Sequence, residues 1–197
     1  MFEVLTVCTG NICRSPLAEQ LLRLHLAPLD ATVTSAGTRG LRSAPMTPEA
    51  LALADQLGVP TTDSTAHRSR FLTEQHLLSP DLIVTMTRDH RRMVAELAPS
   101  RMRSTFTARE FARLAADVTD DEIRDAAAKA PTQTPGARVR AAAALIASRR
   151  GMVLPSEKPE DDDVIDPYGR SWQTYELSAT QMTPALNEVV RVLTAAA

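Results

Sequence analysis

Val4-Leu5-Thr6-Val7-Cys8-Thr9-Gly10-Asn11-Ile12-Cys13-Arg14-Ser15 is the stretch on which the reading turns. The apolar run at its start reads as a first strand. Ser15-Pro16 opens an apolar-periodic stretch that reads as a helix, with Pro16 where its missing N–H costs nothing. Between strand and helix lie Cys8 and Arg14, with Gly10 and Asn11, which tolerate left-handed backbone angles, in the turn. Such a turn points successive backbone N–H groups into one concavity, and the following helix adds the positive end of its dipole. A thiol in that setting, beside a guanidinium, favours the thiolate. Arg14 supplies a planar fork that matches two oxygens of a phosphate. A nucleotide-binding loop is the rival, but it wants Gly-Lys-Ser/Thr at its end, and Arg14-Ser15 lacks both the second glycine and the lysine. The stretch points to cleavage of phosphate esters through the chain's own cysteine.

Length and composition narrow the rest. At 197 residues the chain is long enough for one domain with a substantial core, expected to span 1–197. A net charge of −2 gives no broad attraction to nucleic acid or to an anionic membrane. Aromatics, at 4%, are too sparse for base-stacking surfaces. No apolar run approaches the ~20 residues of a membrane span. The chain enters its first strand directly, which leaves no room for a secretory signal, so cytoplasmic residence is the default expectation. The two cysteines, Cys8 and Cys13, both sit in the loop and cannot clamp distant segments, which fits a reducing compartment. Cys13 either fills space or traps an oxidised Cys8 as a reversible disulfide.

Beyond the loop, a helix is expected from about Pro16 to Leu26, then a strand at Ala31–Ser35 and a turn at Ala36-Gly37-Thr38. Thr47-Pro48-Glu49 caps a helix that Gly58 ends. A third strand at 81–85, a helix from Arg88 to Leu97 and a weaker strand at 103–107 follow. Strands alternating with helices imply an α/β three-layer sandwich around a four-stranded parallel sheet with right-handed crossovers. In such sheets ligands sit beyond the carboxyl ends of the strands, where Cys8 lies. Residues 108–150 read as two or three helices broken at Pro131 and Pro135-Gly136, with their charges a solvated face. The acidic, turn-prone run at 155–163 reads as mobile. Pro184 is expected to kink or restart a last helical region from about Ser171 to Leu193.

A thiolate attacking a phosphate monoester needs a proton donor for the departing oxygen. Arg14 stays charged and Ser15 is too weak an acid, so the donor comes from elsewhere. Asp166 is the best candidate: it sits in a turn pinned by Pro167, after a flexible stretch that would let it close over substrate. An ordinary helix-start turn is the bland reading of the same Asp-Pro.

Together the segments 4–19, 34–38 (Thr-Ser-Ala-Gly-Thr), 65–70 (Thr-Ala-His-Arg-Ser-Arg), 83–87 (Ile-Val-Thr-Met-Thr) and 166–169 (Asp-Pro-Tyr-Gly) resemble the low-molecular-weight protein tyrosine phosphatases, in the order that family has them. The resemblance implies a phosphatase acting on phosphate monoesters, phosphotyrosine on proteins, with phosphorylated protein or a small phosphoester as substrate. It implies no cofactor, no metal, and neither nucleic acid nor membrane as partner. Cys8 would be the nucleophile and form a phosphocysteine. Arg14 and the N–H groups of Thr9, Gly10, Asn11, Ile12, Cys13 and Ser15 would hold the equatorial oxygens. The Ser15 hydroxyl would bond the thiolate and ease its departure. Asp166 would protonate the leaving oxygen, then take a proton from water. Asn11, Ser35 and His67 would keep the loop in shape, and Tyr168 would line the substrate mouth. His25, His76 and His90 have no such support and read as surface or core.

The chain departs from the family pattern at three places. The mouth position a few residues past Gly37, often a large aromatic, falls on Leu41. Residues 108–155 form a helical insertion before the acid loop, longer than the usual connection: a lid, a partner surface or a dimer contact. Pro184 lies in the final helix. Two rival functions stay open. Arsenate reduction with a low-molecular-weight thiol needs only Cys8, although an arsenate reductase has no ester leaving group for Asp166 to protonate. A regulatory module would bind phosphoprotein without turnover. Oligomeric state is open.

Overall fold

The structure, a computed structural model, describes residues 1–40 and 42–197. Its centre is a parallel sheet of β1 (Phe2–Cys8), β2 (Ala31–Gly37), β3 (Leu82–Thr85) and β4 (Thr105–Thr107) in the order β2-β1-β3-β4. Side-chain alternation along β1 sends Phe2, Val4 and Cys8 into one apolar cluster and Leu5 and Val7 into the other. Both faces are covered, which is why β1 reads as a near-continuous apolar run. The order turns from one side of β1 to the other, so a crevice opens beyond its carboxyl end, where Cys8 is the last strand residue.

The helices are α1 (Arg14–His25), α2 (Pro48–Gln56), α3 (Thr61–Ala66), α4 (Arg88–Leu97), α5 (Ala108–Ala115), α6 (Asp120–Ala128), α7 (Pro135–Ser148) and α8 (Trp172–Ala196). The first begins two residues earlier than the proline suggests, so Arg14 and Ser15 already belong to its first turn. Local chemistry sets several starts: the Thr47 hydroxyl caps α2, and Thr107 and Thr119 form capping boxes with Glu110 and Glu122.

The insertion corrects two expectations. Pro135-Gly136 opens α7 rather than breaking a helix: Thr134 caps it and Pro135 takes the first position. A Cβ on Gly136 would fall 2.9 Å from a carboxylate oxygen of Asp81, so the bare backbone lets α7 dock at the foot of β3. There Asp81 also pairs with Arg140 and accepts from the Glu3 amide at 2.9 Å. The charges are not simply solvated: Arg150 bonds Glu110 at 2.8 Å and lies 4.2 Å over the Phe106 ring. Ile123, Val139 and Ile146 are fully buried in the larger cluster.

The acidic run is not a free tether. Arg113 pairs with Asp162 at 2.7 Å, Arg88 with Asp163 at 3.0 Å, and Arg109 donates to the Asp163 carbonyl at 2.9 Å. Pro184 does not restart α8, which is one helix of 25 residues. Residues on both sides of the proline, from Tyr175 and Met182 to Leu186 and Val189, bury one stripe, and that packing outweighs the missing N–H. Among the described residues no helix is long and apolar enough to cross a membrane.

Candidate active site

The loop after β1 is shaped by what its carbonyl groups meet. The carbonyls of Cys8, Thr9 and Ile12 accept from the amides of Thr38, Arg39 and Thr47 at 2.9, 2.9 and 3.0 Å. That of Asn11 meets His67 Nε2 at 2.8 Å, which places a proton on that nitrogen. The loop peptides are trans, so each outward carbonyl turns the next N–H inward: those of Thr9, Gly10, Ile12 and Cys13 face the concavity. Asn11 takes the left-handed φ of 55° that closes the turn. Its side chain is fully engaged: Nδ2 donates to Ser15 Oγ at 2.9 Å and Ser35 Oγ at 2.8 Å, while Oδ1 accepts from the Arg70 amide at 2.8 Å. Ser35 passes its own proton to Glu19, which also pairs with Arg23. Gly37 lies under the turn, where a Cβ would meet the Thr9 carbonyl at 2.6 Å.

Cys8 Sγ lies 2.9 Å from Ser15 Oγ and 3.3 Å from the Asn11 amide. Ser15 Oγ accepts from Asn11, and its own proton has the sulfur at 2.9 Å and the Ala36 carbonyl at 3.5 Å as acceptors. Arg14 is buried at 3% exposure; Nη1 donates to the Val164 carbonyl at 3.0 Å and Nη2 pairs with Asp166 at 2.7 Å. Its Nε is buried with no hydrogen-bond partner among the described residues. Asp166 is carried by a segment whose Val164 amide bonds the Met86 carbonyl at 2.8 Å and whose Ile165 amide bonds Gln181 at 2.9 Å.

The structure thus brings Cys8, Thr9, Gly10, Ile12, Cys13, Arg14, Asp166 and Tyr168 around one cleft of about 250 Å³, with Arg39 as a further wall. Asn11, Ser15, Ser35 and His67 are buried behind it. Leu41 lies outside the described residues. Cys13 Sγ meets Thr47 Oγ1 at 3.5 Å and the Tyr175 hydroxyl at 3.6 Å, and burial pushes its thiol up. Both cysteines are free thiols. Among the described residues no group of three or more His, Cys, Asp or Glu is placed to hold a metal ion.

Three contributors escaped the sequence reading. Glu19 ends the Asn11–Ser35 chain; its only sequence signal is its place one helical turn after Ser15. Arg39 follows the Gly37 turn. His90, read as surface or core, has Nε2 2.9 Å from the Thr9 hydroxyl and Nδ1 2.9 Å from that of Thr87. The signal available was a threonine and a histidine three apart at the start of the helix that leaves β3.

An α/β fold with a phosphate-type loop, a cysteine and an arginine at the crevice defines a class, and the comparisons give the family. The family model described as low molecular weight phosphotyrosine protein phosphatase matches residues 3–131, and the chain belongs to that family. It is 41% identical over 97 residues to the low molecular weight protein-tyrosine-phosphatase Etp of Escherichia coli strain K12, covering 49% of this chain. The match spans only 62% of that relative's length. It is 32% identical over 124 residues to a protein-arginine-phosphatase of Geobacillus stearothermophilus, covering 63% of this chain and 78% of the relative. In fold it is similar to the crystal structure of a YwlE mutant from Bacillus subtilis, with a TM-score of 0.67 at 22% identity, over 98% of this chain and 99% of that one. The family match ends before Asp166, so the place of that residue rests on geometry.

Proposed function

We propose that the protein hydrolyses phosphate monoesters, phosphotyrosine on proteins, through a phosphocysteine intermediate. One observation carries the reading: a sulfur that faces a ring of inward amides shares its cleft with a buried guanidinium and with a carboxyl group held against that guanidinium. The amides and Arg14 suit the three equatorial oxygens of a phosphoryl group, and Arg14 Nε is a donor left without a partner among the described residues. Cys8 attacks phosphorus, the P–O bond to the leaving group breaks, and Asp166 gives its proton to that oxygen. Water then attacks the phosphocysteine, Asp166 takes its proton, and the sulfur leaves into the hydrogen bond of Ser15. Ile12 and Tyr168 give the cleft apolar walls that fit an aromatic leaving group. Two free thiols in the loop suit a reducing, cytoplasmic setting. The 1–197 chain acts as one catalytic unit, with Arg109 and Arg113 of the insertion fastening the segment that bears Asp166.

Some similar proteins are named arginine phosphatases, which makes phosphoarginine the second reading. The test compares turnover of phosphotyrosine and phosphoarginine peptides by the wild type, and of p-nitrophenyl phosphate by two variants. Cys8→Ser is expected to abolish turnover. Asp166→Asn is expected to slow it by about 10²–10⁴ while vanadate still binds. Wild-type rates from Asp166→Asn would place the proton donor elsewhere.

A further inference from the structure

We propose that His90 is a positioning residue for oxyanion binding: it fixes the Thr9 hydroxyl, and through it holds the Arg14 guanidinium at the cleft. The proposal rests on the phosphate-ester reading above, although binding alone can test it.

Arg14 Nη2 lies 3.4 Å from Thr9 Oγ1 and can only donate, so the threonine oxygen accepts there. His90 Nε2 lies 2.9 Å from the same oxygen, accepting its proton in one ring tautomer and donating to its second lone pair in the other. On its far side His90 Nδ1 lies 2.9 Å from Thr87 Oγ1, which accepts from the His90 amide at 3.3 Å as the cap of α4. His90 is buried at 4% exposure. The charges that face it come from three places: Arg14 at the start of α1, Asp89 on its own helix, and Asp163 and Asp166 on the returning segment. Burial and Arg14 outweigh the carboxylates and push the imidazole down to about 4.

Arg14 is thereby gripped on two sides. The returning segment holds it through the Val164 carbonyl and Asp166, and the Thr87–His90–Thr9 chain holds it from the side of α4. Without His90 the Thr9 hydroxyl loses its imidazole partner and can rotate. The guanidinium then hangs from 164–166 alone, the segment whose carboxyl group has to move protons during turnover.

The test measures binding of inorganic phosphate by calorimetry, together with KM and kcat on p-nitrophenyl phosphate. His90→Ala is expected to weaken phosphate about tenfold and to raise KM more than it lowers kcat. His90→Gln, whose amide can either accept from Thr9 or donate to it, restores most of the loss. Thr9→Val weakens phosphate to a similar degree, and the double variant His90→Ala/Thr9→Val is no weaker than either single one, because both cut the same chain. His25→Ala, on the exposed end of α1, changes neither quantity. Phosphate affinity unchanged in His90→Ala, even with a lowered melting temperature, overturns the proposal. So do single-variant effects that simply add, and so does a wild type that binds no phosphate. A wild type that binds phosphate but cleaves no ester sinks the functional reading and leaves the role of His90 to be decided by the binding arm.

Discussion

His67 and His90 are both held below the usual histidine range, chiefly by burial, with His90 at about 4. The consequence for stability has a definite sign. A base whose proton affinity is depressed in the folded state is protonated first in the unfolded chain, so acid favours unfolding. The stability is fully present above about pH 6.5, drains as pH falls, and for His90 is gone below about 4. The His90 contribution corresponds to about 2 kcal/mol lost near pH 5. Urea midpoints near pH 7.5 and near pH 5 should converge in His90→Gln relative to wild type. An equal pH slope in both proteins would remove His90 from the account. Cys13 runs the other way: its thiol is pushed up by burial, so the fraction able to attack an oxidised Cys8 grows as pH rises. If it resolves Cys8 sulfenic acid, releasing water and forming the disulfide, rescue by dithiothreitol after peroxide should improve with pH. Cys13→Ser should then lose that rescue. Equal recovery of the two proteins would leave Cys13 as packing around Thr47 and Tyr175.

At the scale of elements, the sequence was most legible where one local feature decides the outcome. The strand-loop-helix around Cys8, the Thr47 cap and the four strands follow from periodicity and capping, which act within a few residues. The parts that were not legible depend on partners far along the chain. His90 and Thr9 are 81 residues apart and Glu19 and Ser35 are 16 apart, and no local pattern announces either pair. Pro184 does not end the helix because its penalty is local while the packing that outweighs it is tertiary. The helix therefore carries a removable flaw: the side chain is exposed, and its ring leaves the Thr180 carbonyl without its usual donor. Pro184→Ala is expected to raise stability by about 2 kcal/mol, the helix-propensity gain less the freedom returned to the unfolded chain. Chemical denaturation checks this, and a destabilised variant would show that the ring packs usefully.

Across the whole molecule the insertion belongs to the core rather than decorating it. Ile123 is fully buried in the same cluster as Leu17 of α1 and Leu186 of α8. Ile123→Ala should cost about 2–5 kcal/mol of stability while kcat at low temperature stays near the wild-type value. A large kcat loss without a stability loss would make the insertion a catalytic part instead. The opposite face of the sheet is much thinner: seven buried side chains among the described residues, Val94 of α4 among them, form its cluster. Less apolar area resists opening there, so amide exchange should be fastest in α4 among the helices that flank the sheet. That helix bears Thr87 and His90. On warming, the proposed turnover would fall silent before the fold melts, its chemistry failing while most of the shape survives.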